Sequence, residues 1–507
     1  MRSYILNTKV KSKIMIIILP VVFMGCKKSF LDITPKHYTT EGNFYQTQDN
    51  FIQAVNAVYG DMQDFILDAH ILQEGRSDNT TYDNFLDQGQ IGGNVQKGFM
   101  DQFIESSNAN IISTAWTQIY TGIKDCNVPL FFLKNATNLD PDLAKSLEGE
   151  LRFFRAYFHF VAVQYWGDVP LLLEPINTAE EAFAIKRTPV ADVYKAIVED
   201  AKYAESALPL KYTGKDIGRV TNGAAKMLLA NIYMTLHDYT NAQKSLQDIV
   251  SSNQYKLLTD YAAIYNPANK NNAESIFEVQ FKDGQEGEAS NFMYQFAPVG
   301  SRGIVFIGPG TGGGNNLPTL DMVNTYEPDD LRKDISIGSM TRTGNTVYYV
   351  KKYDHDVDPN FATTPDDWPV YRYADVLLLL AEAINEQGYQ TGDPFTFLNQ
   401  IRNRAGLPSL TPDDLPNQDA FRNALAHERR VELAFENHRW FDLLRTGKAI
   451  ETMTAYGLIE VAHPTTPPPS YLPYNSNSFQ INQDKLLYPI PSDELDKDPN
   501  LTQNQGY

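Results

Sequence analysis

Apolar residues recur every three to four positions along most of the chain, which is the spacing of one buried face of an α-helix. The pattern is clearest in three stretches, at about residues 41–70, 110–260 and 370–455. Two other stretches, at about 70–108 and 277–365, lack this spacing and are rich in polar residues, glycine and scattered aromatics. The sequence therefore predicts a mainly α protein whose helical scaffold carries two large irregular insertions with loops and short strands.

One helix pair in the second stretch has the signature of a repeat. Leu229-Ala230 is followed by Tyr233, and, after a turn at His237-Asp238, Ala242 is followed by Leu246. This spacing resembles the tetratricopeptide template, in which small residues let two antiparallel helices approach closely. Such a unit cannot bury its apolar face alone, so units have to stack. We therefore predict a tetratricopeptide-like helical repeat scaffold.

The beginning of the chain differs from the rest. Basic residues without any acid precede an apolar run that ends at Phe23, and Gly25-Cys26 follows closely. The run is about half the ~20 residues that a membrane-spanning helix needs, which is typical of a secretory signal. A signal ending in Gly-Cys resembles that of a bacterial lipoprotein, which implies lipidation of Cys26; an ordinary secretory signal is the alternative. We expect residues 1–25 to be the signal peptide, 26–40 a tether and 41–507 a single body.

Composition narrows the possible functions further. Acidic residues outnumber basic ones by 62 to 43, and the net charge is −19. This balance argues against an extended nucleic-acid contact, which needs a basic face to neutralise phosphates. The chain has two cysteines. If Cys26 carries lipid, Cys126 has no partner, and an intramolecular disulfide is excluded.

Motifs that could indicate a cofactor or a metal ion are incomplete. Gly308–Gly313 satisfies G-x-G-x-x-G, but no strand–helix unit surrounds it, so a flexible loop at the rim of a ligand site is the preferred interpretation. The run Asp354-x-Asp356-x-Asp358 resembles a calcium loop, but Pro359 occupies the position of the turn glycine and no glutamate closes the loop. We expect a solvated acidic loop there, and neither a cofactor nor a metal site in the protein.

Three carboxylates share one helical face, Glu428, Glu432 and Glu436, and could be imagined as the acid pair of a glycosidase. Arginine neighbours lower a carboxyl pKa, whereas a catalytic acid needs a raised one. We therefore expect these glutamates to be charge-paired and structural, and the protein not to be an enzyme. The neighbouring arginines in the sequence are Arg429, Arg430, Arg439 and Arg445.

The same segment carries a family resemblance. Residues 428–445 are similar to the signature segment of the SusD/RagB-like family, the surface nutrient-binding lipoproteins of Bacteroidota. Further similar blocks occur in order along nearly the whole mature chain: Phe30-Leu31-Asp32-x-x-Pro35, Glu150–Tyr157 running on to Trp166–Leu171, Arg372–Leu378, Leu398–Gly406, Tyr488–Leu495 and Asn500–Tyr507.

The resemblance implies a tetratricopeptide-like protein that is tethered by lipid to the outer membrane and exposed outside the cell. Such a protein would lie as a lid on a TonB-dependent, SusC-like barrel, to which it would deliver a captured oligosaccharide or sometimes a peptide. Two other functions stay open: a scaffold for protein partners, as stacked helical repeats often form, and a secreted glycan-degrading enzyme, which would need two unneutralised carboxylates facing a cleft.

The two irregular insertions hold the candidate ligand contacts, because aromatics at helical spacing are typical of core packing. Flat aromatic faces pack against sugar rings, while polar side chains bind the hydroxyls. We predict Tyr82 as a stacking platform, with Arg76 and Asn79 as hydroxyl partners; an ordinary loop side chain is the alternative for each. The full set of candidates is Arg76, Asp78, Asn79, Tyr82 and Phe85 in the first insertion, and Tyr294, Phe296, Phe306 and Asn315 in the second.

Overall fold

A computed structural model of the chain describes residues 44–83, 93–284, 288–355, 357–465 and 474–507. Within these ranges the chain forms seventeen α-helices and eight short strands. The prediction of a mainly α fold is confirmed. Cys26, the signal peptide and the tether lie outside the described residues, as do Phe85 and Asp356.

The helices of the N-terminal half form the first part of the scaffold. They are α1 (Gln48–Ala69), α2 (Gly93–Asp101), α3 (Asn110–Leu133), α4 (Pro141–Trp166), α5 (Ala179–Phe183), α6 (Val190–Ala207), α7 (Asn222–Thr235) and α8 (Tyr239–Ser251).

The C-terminal half begins with short helices and then returns to long ones. They are α9 (Phe292–Phe296), α10 (Leu320–Thr325), α11 (Lys333–Ser336), α12 (Tyr373–Glu386), α13 (Asp393–Arg404), α14 (Gln418–Glu432), α15 (Arg439–Arg445), α16 (Ala449–Ala462) and α17 (Ser492–Lys497).

Packing between helices that are near in sequence builds the scaffold, with α3 against α4, α6 against both α4 and α7, and α7 against α8. The turn between α7 and α8 contains His237 with a φ of 57°, and both small residues of the repeat signature, Ala230 and Ala242, are fully buried. Helix α12 packs on α8 and also against α13 and α14, so it continues the stack. The tetratricopeptide-like repeat is thus confirmed, and its amphipathic helices bury a shared core by stacking.

The strands form four separate antiparallel pairs rather than one sheet within the described ranges. The pairs are β1 (Thr80–Thr81) with β5 (Leu317–Pro318), β2 (Val169–Pro170) with β3 (Arg187–Thr188), β4 (Ser275–Val279) with β8 (Trp368–Arg372), and β6 (Ile337–Arg342) with β7 (Asn345–Val350).

The three aligned glutamates are buried and bound by cations, as predicted, although not by their sequence neighbours. Arg332 donates to Glu428 over 2.6 Å and to Glu432 over 3.1 Å, and Arg372 Nε donates to Glu436 over 2.7 Å. Burial alone would raise the pKa of Glu436, but Arg372 and a lysine outweigh burial and lower it to about 2. Glu432 and Glu436 are therefore ionised structural groups, and Glu428 is a buried, arginine-paired one.

The arginines that follow these glutamates in sequence bind other carboxylates instead. Arg429 pairs with Asp375 and Asp442, and Arg445 pairs with Glu382 and Asp442. Arg430 and Arg439 both bind Asp78. The partners were mispredicted because long-range packing brings arginines from distant parts of the chain onto the glutamate face.

Asp61 on α1 gives a pH-dependent stability prediction. Burial, followed by the charges of Asp125 and Asp64, raises its pKa from 3.8 to about 7, and its Oδ2 atom has no hydrogen-bond partner among the described residues. Because the folded state holds the proton that the unfolded state releases near pH 4, the contribution of Asp61 to the wild-type free energy of unfolding falls as pH rises from about 4 to 7. We expect Asp61→Asn to unfold at a higher denaturant concentration at pH 8, by on the order of 1 kcal/mol in a partly exposed site, and to match the wild type near pH 4.

The control is the exposed Asp413, whose charge is not among those that raise the pKa of Asp61; Asp413→Asn should alter the unfolding free energy by only a few tenths of a kcal/mol, as roughly expected for a surface site. A gain for Asp61→Asn that is equal at pH 4 and pH 8 would contradict this explanation.

Candidate functional site

The two irregular insertions meet in space. Strand β1 pairs antiparallel with β5, with Thr80 opposite Pro318 and Thr81 opposite Leu317. The backbone N–H of Thr319 also donates to the carbonyl of Asn79 over 2.9 Å. We call the region formed by residues 76–83, 93–101 and 292–319 the junction. Segments separated by about two hundred positions in sequence therefore build one region.

Asp83 connects the first and second insertions at the junction through hydrogen bonds and an ion pair. Its backbone N–H donates to the carbonyl of Gly314 over 2.8 Å. Its carboxylate accepts the N–H of Val299 over 3.0 Å and Arg342 Nη2 over 2.9 Å. A charge-assisted pair with this many partners fixes the geometry of a loop more firmly than a neutral hydrogen bond does.

The glycine-rich loop makes backbone contacts with the segment beginning at α9, and its predicted place at the rim of a ligand site stays a prediction. Gly313 N–H donates to the carbonyl of Tyr294 over 2.7 Å, and Gly314 N–H donates to that of Ala297 over 2.8 Å. A Cβ atom on Gly312 would lie 2.4 Å from the carbonyl oxygen of Pro298. The glycines are there for close backbone packing, and no helix N-terminus of a nucleotide site follows them.

Four candidates of the first insertion are buried, which corrects their predicted role. Tyr82 is 0% exposed, and its hydroxyl donates to the carbonyl of Ile71. A ring without an exposed face cannot serve as a stacking platform, so that prediction is wrong. Asn79 is also buried, donating to Glu74 over 2.8 Å and accepting from Arg430 over 2.9 Å.

Arg76 and Asp78 are also buried and bind other side chains of the protein. The Arg76 guanidinium lies 4.2 Å from the ring centroid of Tyr488 and donates to Glu105 over 3.0 Å. Asp78 accepts two hydrogen bonds of 2.8 Å from Arg439. Neither side chain has an exposed polar group for a sugar hydroxyl, so their prediction as ligand contacts is wrong.

The second insertion contributes one accessible aromatic candidate. Phe296, Phe306 and Asn315 are buried, so the prediction that these three contact a ligand directly is wrong. Tyr294 is half-buried, and its ring meets Phe306 edge-on at 5.5 Å. Tyr294 therefore remains a candidate stacking residue.

A cleft of about 310 Å³ opens beside the junction, between α1, α2 and α3. We call it the junction cleft. Its floor is apolar and its rim carries amide, hydroxyl and charged groups, a combination typical of sites for small polar ligands. The lining residues are Phe65, Asp68, Ala69, Ile71, Leu72, Gln96, Lys97, Asn110, Ile111, Thr114, Ala115, Gln118 and Tyr165.

Lys97 links the junction cleft to the loop of Tyr294. Its ammonium group donates to Asn315 Oδ1 over 3.1 Å, and the Asn315 amide in turn donates to Gln295. Burial lowers the pKa of Lys97 to about 8, partly offset by the charge of Asp68. The amine is mostly protonated at pH 7 and can donate to ligand oxygens. The buried Asn315 thus positions Lys97.

The described residues contain no group of three or more His, Cys, Asp or Glu side chains placed to hold a metal ion. In the acidic run, Asp354 and Asp358 fall within that search and Asp356 does not. Across the same residues, no helix is long and apolar enough to cross a membrane.

Comparison with known proteins supplies the family. The model of the SusD family matches residues 332–507, and that of a family described as starch-binding and associating with the outer membrane matches residues 29–234. The chain belongs to the SusD/RagB family. A SusD-like protein, P2, of Formosa agariphila is 26% identical over 98% of this chain and 100% of its own length.

Solved structures share the fold over nearly the whole chain. A SusD superfamily protein from Parabacteroides distasonis is 26% identical, with a TM-score of 0.74, and the match covers 91% of this chain and 99% of that one. A laminarin-binding SusD-like protein is 24% identical, with a TM-score of 0.75, over 91% of this chain and 100% of its own. The irregular insertions therefore belong to the SusD fold.

Lys97 and Gln96 were missed by sequence reasoning because their segment was interpreted as irregular. The structure places both on the nine-residue helix α2. The pair Val95 and Phe99, four positions apart, was the available signal of a short helix. Lys97, the lysine on this short helix beside a long loop, was therefore a candidate ligand contact.

Proposed function

We propose that this protein captures an oligosaccharide at the outside of the cell and delivers it to a TonB-dependent, SusC-like barrel. The observation that carries the proposal is membership of the SusD/RagB family in both halves of the chain. The starch-binding description of one family and the laminarin-binding structural relative support a carbohydrate as the ligand.

The junction supports the same proposal chemically. A sugar ring presents C–H faces that pack on aromatic or aliphatic surface and hydroxyls that need donors and acceptors. Tyr294 supplies a half-buried ring, and the junction cleft supplies an apolar floor with Lys97, Gln96 and Gln118 at its rim. We assign ligand contact to these residues.

We propose binding without catalysis. The aligned carboxylates that could have served as a glycosidase pair are buried and bound by arginine or lysine, which keeps Glu436 ionised at neutral pH. General-acid catalysis needs a carboxyl group that retains its proton. The cations around Glu436 disfavour that protonated form.

Affinity electrophoresis of residues 27–507, which lack the proposed signal peptide and lipid-bearing cysteine, tests the capture step. Gels containing laminarin, starch, mannan or xyloglucan are compared with a gel without polysaccharide. We expect at least one polysaccharide to retard the protein relative to bovine serum albumin. Migration that is unchanged in every gel would contradict carbohydrate capture.

Purification from the source membrane in mild detergent tests the delivery step. The proposed partner is the SusC-like barrel, to which the lid would stay bound. The complex should contain an outer-membrane barrel in a fixed ratio. Recovery of this chain alone would contradict the proposal that the protein lies as a lid on a transporter.

Replacement of the proposed lipid-bearing cysteine should release the protein from the membrane. Cys26→Ala removes the thiol that would carry lipid, and we expect no palmitate label and a soluble or unprocessed product. Cys126→Ala, which alters a buried cysteine of α3, is the control and should keep both label and membrane fraction. Persistent labelling of the Cys26→Ala protein would refute the anchor.

A further inference from the structure

A second groove lies away from the junction. Two cavities of about 230 Å³ and 440 Å³ are separated by the turn Ile217–Arg219. Both are lined by this turn and by Phe277 of β4. We call the two cavities together the lateral groove. It runs between α1, the turn and the segment that leads into β4.

The lateral groove and the junction cleft use opposite faces of α1. On α1 the groove is lined by residues 56, 59, 60, 62 and 63, and the cleft by residues 65, 68 and 69. At about 100° per residue, the mean directions of these two sets differ by roughly 160° around the helix. A ligand in one site therefore leaves the other free.

The wall of the groove is rigid. Arg219 donates to Glu150 over 2.9 Å, to Asp216 over 3.1 Å and to Asn56 over 2.6 Å. Tyr59 also donates to Glu150 over 2.6 Å and accepts the N–H of Val220 over 2.9 Å. The groove is thus formed before any ligand binds, which reduces the entropy cost of binding.

The charge of the wall is compensated internally. Arg219 is a cation, but two carboxylates, of which Glu150 is buried, bind its guanidinium. Its charge is therefore taken up within the wall. The other charged residues of the lining, Lys211, Lys215, Glu278 and Glu288, have formal charges that sum to zero, which favours an uncharged ligand over an anionic one.

The smaller cavity combines aromatic rings with amide groups. Tyr212 and Tyr255 are half-buried and line it, and their hydroxyls are held by Ser146 and Thr221 at 3.0 and 3.1 Å. The amides come from Gln254, Asn271 and Asn272. Between the cavities, Ile217 is 53% exposed.

We propose that the lateral groove is a second binding site for an uncharged oligosaccharide, with Ile217 and the rings of Tyr212 and Tyr255 as its apolar contacts. This inference rests on the proposed function, since it assumes that a glycan is the ligand of the protein. Two sites on opposite faces of α1 can hold one long polymer, which raises its effective affinity over that of either site alone.

Ile217→Asp tests the groove without opening the core, because the side chain is exposed. Ile459→Asp on α16 is a matched control, since that isoleucine is also 53% exposed. In the polysaccharide gel that retards the wild type most, we expect Ile217→Asp to raise the dissociation constant about fivefold or more, and Ile459→Asp to leave it unchanged.

Calorimetry with the hexasaccharide of the same polymer gives a second readout. We expect about two sites per chain in the wild type and one in Ile217→Asp, at equal melting temperatures. Two results would overturn the second site and leave the proposed function intact. One is equal retardation of both variants in the gel. The other is a calorimetric stoichiometry of one site per chain in both the wild type and Ile217→Asp. No retardation of the wild type by any polysaccharide would overturn both.

Discussion

Replacing Arg372 with methionine is expected to lower the free energy of unfolding by about 3–5 kcal/mol, the range for breaking a buried ion pair by removing one partner. Arg372 is 1% exposed and donates to Glu436 over 2.7 Å and to Glu274 over 3.0 Å. It also binds Glu432. Without the guanidinium, three buried carboxylates lose a shared partner. Denaturant unfolding at pH 7 measures the effect.

Arg422→Met is the matched control. Arg422 on α14 also binds two carboxylates, Glu386 and Asp419, but its side chain is 36% exposed. Exposed pairs contribute roughly 0–1 kcal/mol, so this variant should unfold close to the wild type. Similar decreases in the free energy of unfolding of the two variants would contradict a larger stabilising role for the buried ion pairs of Arg372.

Removing the aromatic ring of Tyr294 is expected to weaken oligosaccharide binding about tenfold, since loss of a stacking contact costs on the order of 1.5 kcal/mol. The ring is half-buried at the junction and packs on Phe306. Tyr294→Ala should therefore raise the dissociation constant measured by calorimetry with the hexasaccharide of the retarding polymer.

Tyr294→Phe separates stacking from loss of structure. It keeps the ring and its contact with Phe306, so its affinity should stay within about threefold of the wild type, less than a 1.4 kcal/mol change. Melting temperatures of both variants are compared with that of the wild type. Unchanged affinity in Tyr294→Ala would remove Tyr294 from the binding site.

The scaffold could be predicted from the sequence because its signal is local. Apolar spacing within α7 and α8 and the small residues Ala230 and Ala242 specify a close helix pair without knowledge of distant contacts. The charge-paired role of Glu432 also followed from local arginine density. Its actual partners, Arg332, Arg372 and Arg404, come from other elements, and local reasoning could not identify them.

The site was harder to predict because long-range pairing decides which loop residues are buried. Tyr82 follows β1, and pairing of β1 with β5 accompanies the burial of residues 76–83 in the core. Polar loop composition was interpreted as exposure, but Asn79 and Asp78 use their polarity to bind Arg430 and Arg439 inside the protein. Tyr294 and Lys97 remain at the surface of the same junction.

A crystal structure of residues 27–507 with the hexasaccharide of the retarding polymer tests the central claim, capture of an oligosaccharide at the junction. We expect density for a sugar ring against the face of Tyr294, with hydroxyls within hydrogen-bond distance of Lys97 or Gln96. A saccharide bound only at sites remote from the junction, or a junction that stays free of sugar at saturating concentration, would contradict this claim.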